Sequence, residues 1–141
     1  MTAHSGQLLD QAILAAVDAA LPPAVPAFLS RPPRSISPPY AVVHPLPGTA
    51  DGSLSDQSLY FGTYQVTSVA TGPEQAAGIA DAVRNALVMA TPTVTGRVCS
   101  AIQLSTSLGV TTDEDVTGVT TAASEPLYIA RDQYVVPTAS A

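Results

Sequence analysis

The prolines of this 141-residue chain are concentrated in one stretch: nine of the thirteen lie in PPAVPAFLSRPPRSISPPYAVVHPLPG, residues 22–48. Proline fixes φ and has no backbone N–H, so this stretch can be neither a helix nor a central β-strand. We therefore predict an extended strap over 22–39 that lies on its own domain or on a neighbouring subunit. Only YAVVH, 40–44, is β-branched and apolar enough for a short strand, which a Pro47-Gly48 turn would end.

Apolar periodicity predicts one helix before the strap and another after it. Residues 7–21 repeat apolar side chains on one stripe, and the first prolines of the strap end that helix. For the second helix, which ends before Pro92, we expect a capping box formed by Thr71 and Glu74. Its predicted apolar face is Ala76, Ile79, Ala80, Val83 and Leu87, and its polar face is Gln75, Asp81 and Asn85, with Asp81 within reach of Arg84.

Alternation of side chains predicts three further strands, over 59–70, 98–110 and 127–136. Thirteen residues is long for one strand, so we expect 98–110 either to bend near Gly109 or to extend past the domain body. The alternation in 98–110 places five apolar side chains on one face: Val98, Ile102, Leu104, Leu108 and Val110. Residues 49–57 and the acidic, Thr-rich residues 111–126 are predicted loops.

The element order predicts an α+β fold. We expect a small, mainly antiparallel or mixed four-stranded sheet with two helices packed on one face, together with the proline-rich strap. A chain of this length is too short for two ordinary domains, so residues 1–141 are expected to form one domain.

The charge pattern argues against nucleic-acid binding and in favour of self-association. The chain has five Arg and no Lys against eleven Asp and Glu, so few basic side chains are available to bind the phosphates of a nucleic acid. Charged residues make up only 11% of the chain and hydrophobic residues 46%, which leaves few charges to cover a monomer unless Ser, Thr and Gln do so. Asp10 and Asp18 interrupt the apolar N-terminal stretch, so we expect neither a signal peptide nor a membrane span.

Residue types that carry chemistry are sparse. Cys99 is the only cysteine, and it reads as a packed structural thiol. His44 lies in apolar VVHPL, with no nucleophile near it in sequence. The acidic run 113–115 lacks the spacing of a calcium loop, and no glycine-rich phosphate cradle is present. We therefore predict no catalytic residues, no metal and no cofactor.

Five segments together resemble the tail terminator, or tail completion, proteins of long-tailed bacteriophages. They are the N-terminal helix, PPYAVVHPLPG, SLYFGTYQVTSVAT, GPEQAAGIADAVRNAL and PLYIARDQYVV. The resemblance rests on the order of these segments and on the total length, and it spans nearly the whole chain. The strap is longer and richer in proline than the family pattern, and we expect it to reach an adjacent subunit.

The resemblance implies a structural virion protein with no catalytic residues and no cofactor. Assembled in the host cytoplasm, it would form a hexameric ring at the head-proximal end of the tail tube. There it would stop further addition of the tail tube protein and present a surface to the head–tail connector or stopper protein. Genome DNA would pass through the lumen without specific binding, which the net charge of −6 per subunit favours.

Within such a ring, two sets of residues are candidates for contacts. We expect the acidic run to face the lumen or the tube: Asp113, Glu114 and Asp115. The candidate subunit-interface residues are Arg31, Arg34, Gln65, Thr67, Asp81 and Asn85.

Three other functions remain open at the level of sequence. The chain could be another head–tail connector or neck protein, such as a stopper or an adaptor-like component. It could be a binding module that uses Arg31, Arg34 and the prolines as a docking peptide. It could also be a small hydrolase that uses His44 or the acidic loop.

Overall fold

The computed structural model describes residues 5–32, 36–53, 56–95, 97–112 and 127–140. The described residues form two helices, each followed by three strands, which confirms the α+β prediction with six strands in place of four. In chain order they are α1 (Ser5–Ala20), β1 (Ala27–Leu29), β2 (Tyr40–Ser53), β3 (Asp56–Ala70), α2 (Pro73–Leu87), β4 (Arg97–Cys99), β5 (Gln103–Thr112) and β6 (Tyr128–Ser140).

The strands form one mixed sheet in the order β1, β2, β3, β6, with β4 and β5 both paired to the far side of β6. β1 runs parallel to β2, and every other pairing is antiparallel. Helix α2 packs over β3, β5 and β6, whereas α1 packs beside α2 over β1 and β2. β3 and β6 are thus the central strands, and β1 and β5 lie at the two ends of the sheet.

The main core lies between the two helices and one face of the sheet. Helix α1 contributes a straight i, i+4 stripe of buried side chains, as an amphipathic helix should. The face predicted for α2 is the buried one, while Gln75, Asp81 and Asn85 are exposed. The largest fully buried side chains are Tyr134, Ile13, Leu87, Ile102, Val17, Val43, Val83 and Val136.

The strap and the segment after it are more regular than predicted. Residues Ala27–Leu29 of the strap form β1 on the chain's own sheet. The predicted Pro47-Gly48 turn and the loop 49–57 are wrong, because β2 and β3 continue as a hairpin to the pair Ser53 and Asp56. Proline is tolerated in β2 because β1 covers only Ala41–Val43, so the strand beyond them is an edge on which a missing N–H can face outward.

The segment predicted as one strand over 98–110 is two strands. β4 ends at Cys99, opposite Thr138 of β6, and β5 begins at Gln103, opposite Val135, so the break between them spans Pro137 of β6. The Ser100 N–H donates to the Pro137 carbonyl at 2.8 Å, so Pro137 directs its carbonyl toward this edge. A residue's N–H and carbonyl point to the same side of a strand, so the N–H that proline lacks is missing from this ladder. The ladder breaks there, and Ile102 enters the core.

Near Gly109, where a bend is one of the two expectations, the ladder has a register shift between Leu108 and Val110, and a second shift lies between Leu104 and Thr106. Each shift changes which side chains share a face of the strand. Across from β6, Leu104 and Val110 pair with residues of the helix-covered face, whereas Leu108 pairs with Arg131 of the opposite face. The single apolar face predicted for 98–110 is therefore wrong.

The capping box predicted for α2 is also wrong. Gly72 is the N-cap, in an extended conformation, and no side chain caps the first turn. Pro73 occupies the first turn, where its missing N–H removes a donor that has no helical partner in any case. The helix therefore starts at Pro73, one residue later than a Thr71 cap implies, and without a side-chain cap.

Candidate functional site: an exposed sheet edge

β5 is the outermost strand at one end of the sheet and is open to solvent along its length. Its described side chains, residues 103–111, are all exposed. Within the described part of the chain it pairs only with β6, so its outer row of N–H and carbonyl groups is available to another strand.

Large apolar side chains cluster on and around this edge. Leu108 is 53% exposed, and Leu104 and Val110 are also exposed. Val98 of the neighbouring β4 is 59% exposed, and Met89, just after α2, is 73% exposed. These five are the exposed large hydrophobic side chains of the described residues. We call β5 together with Val98 and Met89 the β5 edge.

The β5 edge lacks two common protections against strand pairing. Its sequence, QLSTSLGVTT, contains no charged residue and no proline. Natural sheets usually blunt a free edge with charges, prolines or bulges. β2 contains Pro45 and Pro47 in the part that β1 does not cover, whereas β5 has only its two register shifts. Of the described edges, this is the one whose composition best suits a protein partner.

A buried polar cluster fixes β5 to β6 and α2. Asp132 of β6 is 3% exposed and accepts hydrogen bonds on both carboxylate oxygens. Ser107 of β5 donates to Oδ1 at 2.6 Å, and Arg84 of α2 donates to Oδ2 at 3.0 Å. Arg84 also donates to the Ser107 hydroxyl at 3.2 Å, and the Tyr134 hydroxyl lies 3.5 Å from Oδ2. We call these four residues the Asp132 cluster.

The electrostatics of the Asp132 cluster are those of a fixed ion pair. The hydrogen bond to Asp132 raises the pKa of Arg84. Burial, reinforced by the charge of Asp132, raises the pKa of Tyr134, so its hydroxyl stays protonated at neutral pH. Both oxygens of the carboxylate are already engaged, so the cluster is suited to holding β5 in place.

The sheet face away from the helices is partly buried and carries both polar and apolar side chains. Gln65 of β3 and Gln133 of β6 face each other across the ladder, with a 3.4 Å amide–amide contact. His44 pairs with Gln65, and its pKa is lowered by burial and by the nearby charge of Arg131. At one end of this face lies a small apolar cluster: Val69, Leu127, Ile129 and Tyr40.

The residues expected to contact other subunits do not share one surface. Gln65 and Thr67 lie on the sheet face away from the helices, and Thr67 is buried within the chain itself. Asp81 and Asn85 are exposed on α2, and Arg31 is exposed directly after β1. Arg34 and the expected lumen-facing residues Asp113, Glu114 and Asp115 lie outside the described residues. The interface and lumen assignments stay predictions.

The described residues contain no group of three or more His, Cys, Asp and Glu side chains that could hold a metal ion. Cys99 is buried, and burial raises its pKa, as expected of a packed thiol. In the same part of the chain, neither helix has the length and apolar character needed to cross a membrane.

Sequence reasoning missed the β5 edge because alternation of apolar and polar side chains also describes a buried strand. The signal that could have found it is the lack of any charge or proline in β5. The Asp132 cluster was missed because its partners, Arg84 and Asp132, are 48 residues apart.

Comparison with known proteins identifies the fold. No family model matches the chain, and neither does any curated protein. A chain from the virion of a native gene transfer agent particle superposes with a TM-score of 0.72 at 12% identity, covering 99% of this chain and 100% of that one. A second solved structure, named only by an identifier, gives a TM-score of 0.51 at 15% identity over 92% of this chain and 91% of its own. At such low identities the likeness shows a shared fold.

Proposed function

We propose that this chain is a structural virion protein, a tail terminator that closes the head-proximal end of a phage-type tail tube as a hexameric ring. The observation that carries the proposal is the shared fold, end to end, with a chain from the virion of a gene transfer agent particle. The order of the sequence segments, which resembles that of tail terminators, supports the same assignment.

The open β5 edge supports a role in assembly. An exposed strand edge with apolar side chains is unfavourable on a free monomer and becomes useful when a neighbour covers it. Identical subunits joined through two different surfaces form a ring if the rotation closes. Such a ring on the last layer of tube subunits would occupy the surface on which the next layer adds, and so would end tube growth.

The acidic character of the chain suits a ring through which DNA passes. The net charge is −6 per subunit, and six copies would multiply it. Like charges on the protein and on the phosphate backbone keep DNA from adhering during passage. The role needs no catalytic group or cofactor.

The proposal is tested by deleting the gene and examining the particles by electron microscopy. Loss of a terminator should leave overlong or unfinished tails and unjoined heads, and a plasmid-borne copy of the gene should restore normal particles. Tails of normal length beside heads that leak DNA would instead identify a stopper or other neck protein. Particles indistinguishable from wild type would refute a role in tail completion.

A further inference from the structure

The two ends of the sheet differ in a way that suits head-to-tail contact. One end is the β5 edge, and the other is β1 with the exposed Arg31 that follows it. We propose that the β5 edge of one copy docks along β1 of the next copy, so that the sheet continues from subunit to subunit. The inference rests on the proposed ring and names the surfaces that would build it.

The backbone of β1 can receive another strand. The Ser30 N–H donates to the Val43 carbonyl at 2.7 Å, and the Pro26 carbonyl accepts from the Ala41 N–H at 3.0 Å. Pro26 and Ser30 therefore face β2, and by the two-residue period of a strand Ala27 and Leu29 direct their backbone groups away from it. The Leu29 carbonyl accepts from the Arg31 N–H. Among the described residues, this leaves the Ala27 N–H and carbonyl and the Leu29 N–H for a neighbour.

Side chains at β1 complement the apolar β5 edge. Those of Ala27–Leu29 are all partly exposed. Phe28 pairs across the ladder with Val42 on the sheet face away from the helices, the face on which Leu108 of β5 also lies. If the sheet continues between copies, Phe28 and Leu108 fall on the same side of it. Contact between them would cover the exposed Leu108 and the partly exposed Phe28.

The charges near the two edges favour docking of β5 on β1 over a symmetric contact in which β5 of one copy meets β5 of another. Asp81 is exposed next to Arg84, which contacts β5, so a carboxylate flanks the β5 edge. Arg31 flanks β1, and no carboxylate among the described residues forms an ion pair with it. Docking of β5 on β1 would bring Arg31 of one copy toward Asp81 of the next, whereas β5 against β5 would bring the two Asp81 side chains, of like charge, toward each other. Pro45 and Pro47 disfavour the exposed part of β2 as the partner strand.

The test is cross-linking in assembled particles. A strain deleted for the gene is complemented with the double variant Phe28→Cys/Leu108→Cys, and particles are treated with a short bis-maleimide linker. Denaturing gels should then show a ladder of this chain from dimer to hexamer. Wild-type protein, which has only the buried Cys99, and each single variant should remain monomeric. Recovery of normal tails by the double variant shows that it folds and assembles.

Two results would overturn the inference. One is a double variant that restores tails but stays monomeric on the gel. The other is a covalent dimer formed by the Leu108→Cys single variant, which would mean that β5 meets β5. Failure of the proposed function is seen separately, because it would appear as normal tail length in the uncomplemented deletion strain.

Discussion

At the scale of single residues, Asp132 carries the most consequential interactions outside the apolar core. Its carboxylate is withdrawn from water and depends on Arg84, Ser107 and Tyr134 for hydrogen bonds. Removing one partner of a buried charge leaves the other uncompensated, which costs more than the pair itself contributes. Arg84 has a second carboxylate neighbour in Asp81, but that contact is exposed and spans 3.4 Å.

The two ion pairs of Arg84, the buried one to Asp132 and the exposed one to Asp81, should therefore contribute differently to stability. Arg84→Met leaves the Asp132 carboxylate buried with hydroxyl partners alone, and should lower the free energy of unfolding by about 2 to 3 kcal/mol. Asp81→Asn, the matched control, should lower it by less than about 0.5 kcal/mol. Urea titration followed by circular dichroism measures both. Equal losses would contradict the structural role assigned to Asp132.

His44 should make stability depend on pH. Burial and the charge of Arg131 lower its pKa below the usual 6.5, so the unfolded chain takes up the proton first as pH falls. As far as His44 contributes, the free energy of unfolding should thus be constant above pH 6.5 and should decrease as the pH falls below 6.5. His44→Gln should flatten this part of the profile, which denaturant titrations at successive pH values will show. A wild-type profile that rises on acidification would contradict the assignment.

At the scale of elements, the segment 98–110 shows how tertiary structure divides a regular pattern. Pro137 interrupts the ladder between β4 and β5, and the register shifts move alternate side chains to different faces. Residues that the pattern groups together are therefore in different environments. Ile102 is fully buried, whereas Leu108 is largely exposed.

Truncating these two residues should have very different effects. Ile102→Ala removes packed methyl groups from the core and should lower the unfolding free energy by about 2 to 4 kcal/mol. Leu108→Ala should change that of the isolated protein by less than about 0.5 kcal/mol. Thermal and urea unfolding of the two variants gives the comparison. Similar effects would mean that both side chains are packed in the isolated chain.

The N-terminus of α2 offers a second test at this scale. Thr71 caps nothing, so Thr71→Ala should change the unfolding free energy by less than about 0.5 kcal/mol. A β-carbon on Gly72 would meet no atom within 4 Å, and the residue is already extended. Gly72→Asp should therefore add an N-cap and stabilise the protein by about 0.5 to 1 kcal/mol. A loss on Thr71→Ala comparable to that of a true cap would reinstate the capping box.

At the scale of the whole molecule, the central strands of the sheet are paired on both sides, whereas the strands at its two ends are not. β3 and β6 are paired on both sides and covered by the helices, whereas β1 and β5 have a strand on one side only among the described residues. Edge strands open at lower free energy than central ones. In the isolated protein, hydrogen exchange should be slowest in β3 and β6 and fastest in β1 and β5.

Assembly should change the exchange of the two end strands selectively. If the β5 edge meets β1 of the next copy, particle-bound protein should gain protection in both strands while β3 and β6 change little. Mass spectrometry of exchanged particles against free protein measures this. Protection gained only elsewhere would place the contacts on another surface.

The sequence alone determined the α+β class, the order of the main elements, and the buried face and exposed ion pair of α2. These follow from local periods, because residues three and four apart in a helix share a face wherever the helix packs.

Only the tertiary structure decided which strands pair and which edge stays open. The β1–β2 pairing, the long hairpin through Pro47 and the break opposite Pro137 join residues far apart in sequence, and the local pattern of each segment fits more than one partner. The same holds for the Asp132 cluster, whose ion pair exists because β6 lies between β3 and β5 beneath α2. Strand pairing is non-local, so the exposure of β5 depends on the whole sheet.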